Sequence, residues 1–180
     1  MSRTTMLRLL LPAALAATAL AAAAPDASLV RKGPPWISVE SPPNPHDPTT
    51  RDALLVVRTY HHGTQLDQGV RGTAEGIVGT ERRTIQLRFE KASQPGVYAL
   101  RRQWPAEGRW ALVMTTGTGD GASALVTLGT DGQVASVTVP TRRQDGWSIP
   151  RAVTRAEVDA ALGLRVARAG GADAPRSRRR

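Results

Sequence analysis

The chain has no cysteine, one phenylalanine and two tyrosines among its 180 residues. Without thiols there is no disulfide, no thiolate nucleophile and no lipid-modified cysteine behind a leader, so the fold must be held by burial alone. Long hydrophobic runs are scarce. The longest, Leu9 to Ala24, is alanine-rich and shorter than the roughly 20 strongly apolar residues of a spanning helix. Enzyme signatures are missing as well: the sequence holds no Gly-x-Ser-x-Gly elbow, no His-Glu-x-x-His and no phosphate-binding loop. The chain therefore reads as non-catalytic. Acidic charge is in deficit, with 15 Asp and Glu against 24 Lys and Arg, for a formal +9.

What is present begins with a leader. Arg3 and Arg8 form a basic n-region, Leu9 to Leu20 an apolar stretch, and Ala19 to Ala24 a run of small residues suited to a signal peptidase. The ring of Pro25 restricts an extended backbone at the first mature position, so cleavage is expected after Ala22 or Ala23. The protein is expected in the periplasm or outside the cell. Residues 24–140 carry 12 basic and 11 acidic side chains, whereas residues 141–180 carry 10 basic and 4 acidic. A nearly neutral body argues against a nucleic-acid partner, which requires a basic face on the fold itself. The tail arginines, Arg176 and Arg178 to Arg180, suit either an anionic membrane surface or plain solvation.

The pattern divides the chain into a leader (1–24), a proline-rich lead-in with a first strand (25–52), a β-sandwich core (53–140), an extension with a short helix (141–169) and a disordered basic tail (170–180). Trp36 to Glu40 alternates apolar and polar, as a half-buried strand does. Four prolines, Pro42, Pro43, Pro45 and Pro48, make the next segment a crossing loop. From Ala53 short β-type runs recur at sandwich-like spacing: Leu54 to Tyr60, Arg71 to Val78, Thr84 to Glu90, Val97 to Gln103, Trp110 to Thr116, Ala122 to Leu128 and Val134 to Pro140. Gly72 and Gly76 mark possible bulge positions, and Gly79 to Arg82 a turn. The alternation of Ile85, Leu87 and Phe89 is the cleanest in the protein. Thr154-Arg155-Ala156-Glu157 fits a capping box opening a helix over Ala156 to Leu162 that ends at Gly163. The sum is an all-β antiparallel sandwich of about seven strands with a short C-terminal helix.

Gly96-Val97-Tyr98, followed by Trp104-Pro105-Ala106-Glu107-Gly108-Arg109-Trp110, resembles bacterial exported immunoglobulin-like domains of the YtkA-like and FixH-like type. There a Gly-x-Tyr strand leads through a Pro-x-x-Gly turn into a strand opening on Trp or Tyr. The resemblance covers roughly Ala53 to Pro140 and implies an immunoglobulin-like sandwich. For some relatives it implies copper handling or assembly of respiratory oxidases. This chain lacks the Cys and Met-rich copper ligands, and its histidines are not at the mature N-terminus.

Candidate sites are few. His61 and His62, with His46 and either Asp47 or Asp67, suggest a copper or zinc site, since imidazole is the commonest ligand for both. Consecutive strand residues face opposite ways, so the pair chelates together only if the strand has already ended. The competing explanation is two polar residues at a strand end. Of Trp36, Trp104, Trp110 and Trp147, the first is expected to pack within its strand and Trp110 in the core. Trp104, beside Pro105, is the expected exposed one and, with Arg101 and Arg102, a candidate binding surface. Arg82 and Arg83 together with Arg101 and Arg102 suggest an anion site, against the simpler expectation of solvated arginines lying over apolar neighbours. The leading expectation is a binding or scaffolding module for an unknown protein or small ligand of the cell envelope. Metal handling is the alternative.

Overall fold

The computed structural model describes residues 35–117 and 121–164. The leader, the basic tail and the middle of the loop expected at Gly117 to Gly121 lie outside the described residues. In chain order the strands are β1 (Trp36–Glu40), β2 (Leu55–His61), β3 (Thr64–Gln65), β4 (Val70–Val78), β5 (Glu81–Gln86) and β6 (Glu90–Lys91). They continue with β7 (Val97–Leu100), β8 (Arg109–Thr116), β9 (Ser123–Leu128), β10 (Val134–Thr138), β11 (Thr141–Gln144) and β12 (Trp147–Pro150), before the helix α1 (Arg155–Ala161). One sheet runs β1-β2-β7-β6 with β3 added to β2, the other β10-β9-β8-β4-β5, and β11-β12 stands as a separate hairpin. Every pairing is antiparallel.

The two large sheets form a sandwich because each turns an alternate set of apolar residues inward. Ile37, Leu55, Val57, Tyr98 and Leu100 from the first sheet meet Ala74, Trp110, Leu112, Met114 and Val126 from the second. Part of the other face of the second sheet is also covered. Ala111 and Leu125 pack against Val158 and Leu162 at the C-terminal helix, with Ile77 and Val113 beside them. Strand β8 is thus dry on both sides, which explains why its sequence is apolar beyond simple alternation. The helix opens on the expected capping box: Thr154 Oγ1 accepts from Glu157 N–H, and the Glu157 carboxylate accepts from Thr154 N–H.

Several expectations need correction. The strand expected over Thr84 to Glu90 is two strands in different sheets. The chain leaves the second sheet after Gln86, passes Leu87 N–H to Gly72 O at 2.9 Å, and joins the first sheet at Glu90. The alternation survives because Ile85, Leu87 and Phe89 all face the shared core. Glu81 and Arg82 lie in β5, not in a turn, pairing with Val78 and Ile77. Strand β7 stops at Leu100, and all four of its residues are buried. Neither Gly72 nor Gly76 makes a bulge, since β4 keeps continuous register with both neighbours; the irregularity falls in β10, between Val134 and Ser136. The strand count exceeds seven, partly because of the β11-β12 hairpin. Its two-residue turn uses Asp145 at φ 50° and Gly146 at φ 81°, both in the left-handed region that a tight hairpin requires.

Candidate functional site

The structure separates the residues expected to form sites. Trp104 is buried in the core at 4% exposure, and its Nε1 has no hydrogen-bond partner, so it cannot offer a binding surface. Its place beside Pro105 was misleading because the turn folds the indole inward. Trp36 errs the other way, being 41% exposed although its strand neighbour Ile37 is fully buried. Arg101 is ion-paired with Glu90, while Arg102 is exposed. Arg82 contacts Asp159 at 2.5 Å and Glu75 at 3.4 Å, and Arg83 contacts Glu81 at 3.1 Å. The guanidiniums of Arg82, Arg83 and Arg101 answer carboxylates of the fold rather than converge on a common anion.

Strand β2 ends at His61, and His62 adopts a left-handed turn at φ 53°. The two imidazoles therefore lie together, with ring centroids 4.0 Å apart at an interplanar angle of 68°. His46 sits in the loop before β2, its N–H donating to Asn44 Oδ1 at 2.9 Å. Among the described residues, no group of three or more His, Asp or Glu side chains is arranged to hold a metal ion.

One polar cluster was not foreseen. Tyr98 on β7 donates its hydroxyl hydrogen to Asp67, Lys91 Nζ approaches Asp67 Oδ2 at 2.7 Å, and Gly69 N–H donates to Tyr98 Oη at 3.0 Å. The hydrogen bonds from Lys91 and Tyr98 hold the Asp67 carboxyl down to about 2. Burial, and then the bond to Asp67, push the Tyr98 phenol up to about 12. Neither group exchanges a proton near neutrality, so the cluster is suited to pinning the 66–69 segment onto β7 rather than to acid–base chemistry. The adjoining cavity, walled by Asp67, Lys91, Tyr98 and the Gln94–Gly96 turn, measures about 160 Å³. Pockets for small organic ligands are typically about 300–1,000 Å³.

The most open feature is the β11-β12 hairpin. Trp147 is 65% exposed, the most exposed of the large apolar side chains among the described residues. Every residue of β11 is exposed. Arg142 reaches Gln144 Oε1 at 3.3 Å and Arg143 reaches the Gly146 carbonyl at 3.0 Å. Neither is ion-paired with a carboxylate among the described residues, a state they share with Arg88, Arg102 and Arg109, whereas Arg51, Arg58, Arg82, Arg83, Arg101, Arg151 and Arg155 are ion-paired. By the register of the hairpin Trp147 shares a face with Arg142, and Arg143 lies on the other face. An exposed indole on a hairpin with unneutralised guanidiniums has the composition of an interaction surface, where Trp and Arg are enriched. The signal that points to it in the sequence is Asp145-Gly146 between two short β-type runs.

No protein-family model matches the chain, and neither a curated protein nor a solved structure matches it.

Proposed function

We propose that this protein is a non-catalytic binding or scaffolding module that works outside the cytoplasm and presents its β11-β12 hairpin to a partner in the cell envelope. The observation that carries this reading is the 65% exposure of Trp147 on a hairpin whose arginines the fold leaves without carboxylates. An indole left in water contributes nothing to the core, whereas on contact it supplies a large apolar area with few rotatable bonds. The leader-like N-terminus and the resemblance to exported immunoglobulin-like domains support the location. The test is a photo-crosslinking amino acid placed at position 147 or at exposed Thr80, in intact cells. A discrete adduct from position 147 and none from position 80 is expected; equal labelling, or none at 147, overturns the reading.

A second reading, copper or zinc handling, draws on the contact between the His61 and His62 rings. Titration with Cu(II) or Zn(II) followed by histidine NMR signals tests it. Saturable shifts of both imidazoles support it, and unchanged signals at micromolar metal remove it.

A further inference from the structure

The backbone of the hairpin offers more than its side chains. Arg151 N–H donates to Pro140 O at 2.9 Å, which makes 140 and 151 a hydrogen-bonded pair just beyond the strands. Pairs in an antiparallel ladder alternate, so Arg142 with Ile149 and Gln144 with Trp147 are hydrogen-bonded to each other, whereas Thr141 with Pro150 and Arg143 with Ser148 are not. The N–H and C=O groups of Thr141 and Arg143 consequently point away from β12. No strand among the described residues pairs with that side of β11. The outer side of β12 is a poorer template, because Pro150 has no N–H to offer.

From this geometry we infer that the outer edge of β11 accepts an extended acidic segment of another protein as an added strand. The inference rests on the hairpin being the recognition surface and specifies what it recognises. Successive residues on a strand face opposite ways, so Arg142 and Arg143 project to opposite faces of the edge. Carboxylates on two successive residues of an added strand do the same, one meeting each guanidinium while main-chain bonds form to Thr141 and Arg143. A second copy of the chain does not fit, since β11 paired with itself sets arginine against arginine. The chain's own residues 165–180 do not fit either, carrying six arginines and one aspartate. A lipid surface is disfavoured by Asp145 at the hairpin tip and by main-chain groups that a bilayer interior leaves unsatisfied.

The test uses the purified full chain, ¹⁵N-labelled, and a blocked hexapeptide of valine and threonine carrying two successive glutamates. Saturable shifts and slowed hydrogen exchange at the Thr141 and Arg143 amides are expected. Replacing both glutamates by glutamine, or introducing Arg142→Glu with Arg143→Glu, weakens binding about tenfold or more, while Arg88→Glu leaves it unchanged. Because the double variant can disturb the hairpin itself, two peptides N-methylated on alternate amides provide the second arm, and one of them must lose binding. Equal binding of the glutamine peptide, shifts mapping elsewhere, or a response only to phosphatidylglycerol vesicles overturns the inference. If the glutamate peptide fails while crosslinking from position 147 still yields its adduct, the acidic strand is wrong and the hairpin remains the recognition surface; if both fail, both readings fall.

Discussion

Gly76 lies directly against the indole of Trp110: a Cβ placed on Gly76 would stand 2.3 Å from Trp110 Cε3. The two residues are cross-strand partners on β4 and β8, and the missing side chain of one makes room for one of the two indoles of the core. The indole is also fixed at its edge, Nε1–H donating to Glu107 O at 2.8 Å, so it has little freedom to retreat.

Gly76→Ala is therefore expected to destabilise the protein by about 1–3 kcal/mol through overpacking, although alanine suits a strand no worse than glycine. Urea unfolding followed by tryptophan fluorescence measures this. An unchanged midpoint would mean that the indole can shift.

Removing the Tyr98 hydroxyl tests the pin on the 66–69 segment. Tyr98→Phe is expected to cost about 1–2 kcal/mol, since the hydroxyl both donates to Asp67 and accepts from Gly69 N–H. It should also let the Asp67 carboxyl rise from about 2 toward its ordinary 3.8, which a ¹³C NMR titration of that carboxyl reads directly. No change in the titration would assign the depression to Lys91 and the Gly69 N–H.

Acid should loosen the C-terminal helix before the sandwich. The Glu157 carboxyl is held down to about 2 from an ordinary 4.5, chiefly by its hydrogen bond with Arg151 and then by those with Thr154. A carboxyl depressed in the folded state stabilises above its unfolded value and loses that contribution as pH falls through the folded one. Stability from this contact is thus complete above about pH 4.5 and declines toward pH 2. Thr154→Ala removes the cap at about 1 kcal/mol and, because the Thr154 hydroxyl also donates to the Glu157 carboxylate, takes away part of this pH dependence. Hydrogen exchange at the amides of residues 155–162 is expected to quicken at pH 2–3 ahead of those of β8.

At the hairpin the expected effect is local. Gly146 has φ 81°, so Gly146→Val strains the turn and should raise amide exchange over residues 141–150. The thermal midpoint of the sandwich should move little, because the hairpin pairs with neither large sheet.

Much of the sandwich was legible in the sequence because its strands carry period-two signals bounded by glycine turns. Trp110, Leu112 and Met114 share the inner face of β8 as their spacing implies, and the Thr154–Glu157 box caps the helix. The split of the run at Leu87 was not legible, since residues facing one core from two sheets keep the same alternation. Burial of the tryptophans was not legible either. Trp104 and Trp36 exchange their expected places because a turn's direction, rather than local composition, decides which way an indole points. The hairpin was missed because each strand has only four residues, β11 is wholly polar and β12 ends on Pro150, leaving only Asp145-Gly146 to mark it.

The central claim, that recognition is carried by residues 141–150, is tested most directly by hydrogen–deuterium exchange of the full chain with and without the cell-envelope fraction. Protection concentrated in β11 and Trp147, with Arg143 among the most protected amides, is expected. Protection at the Asp67–Tyr98 cavity instead, or an unchanged hairpin, would contradict it.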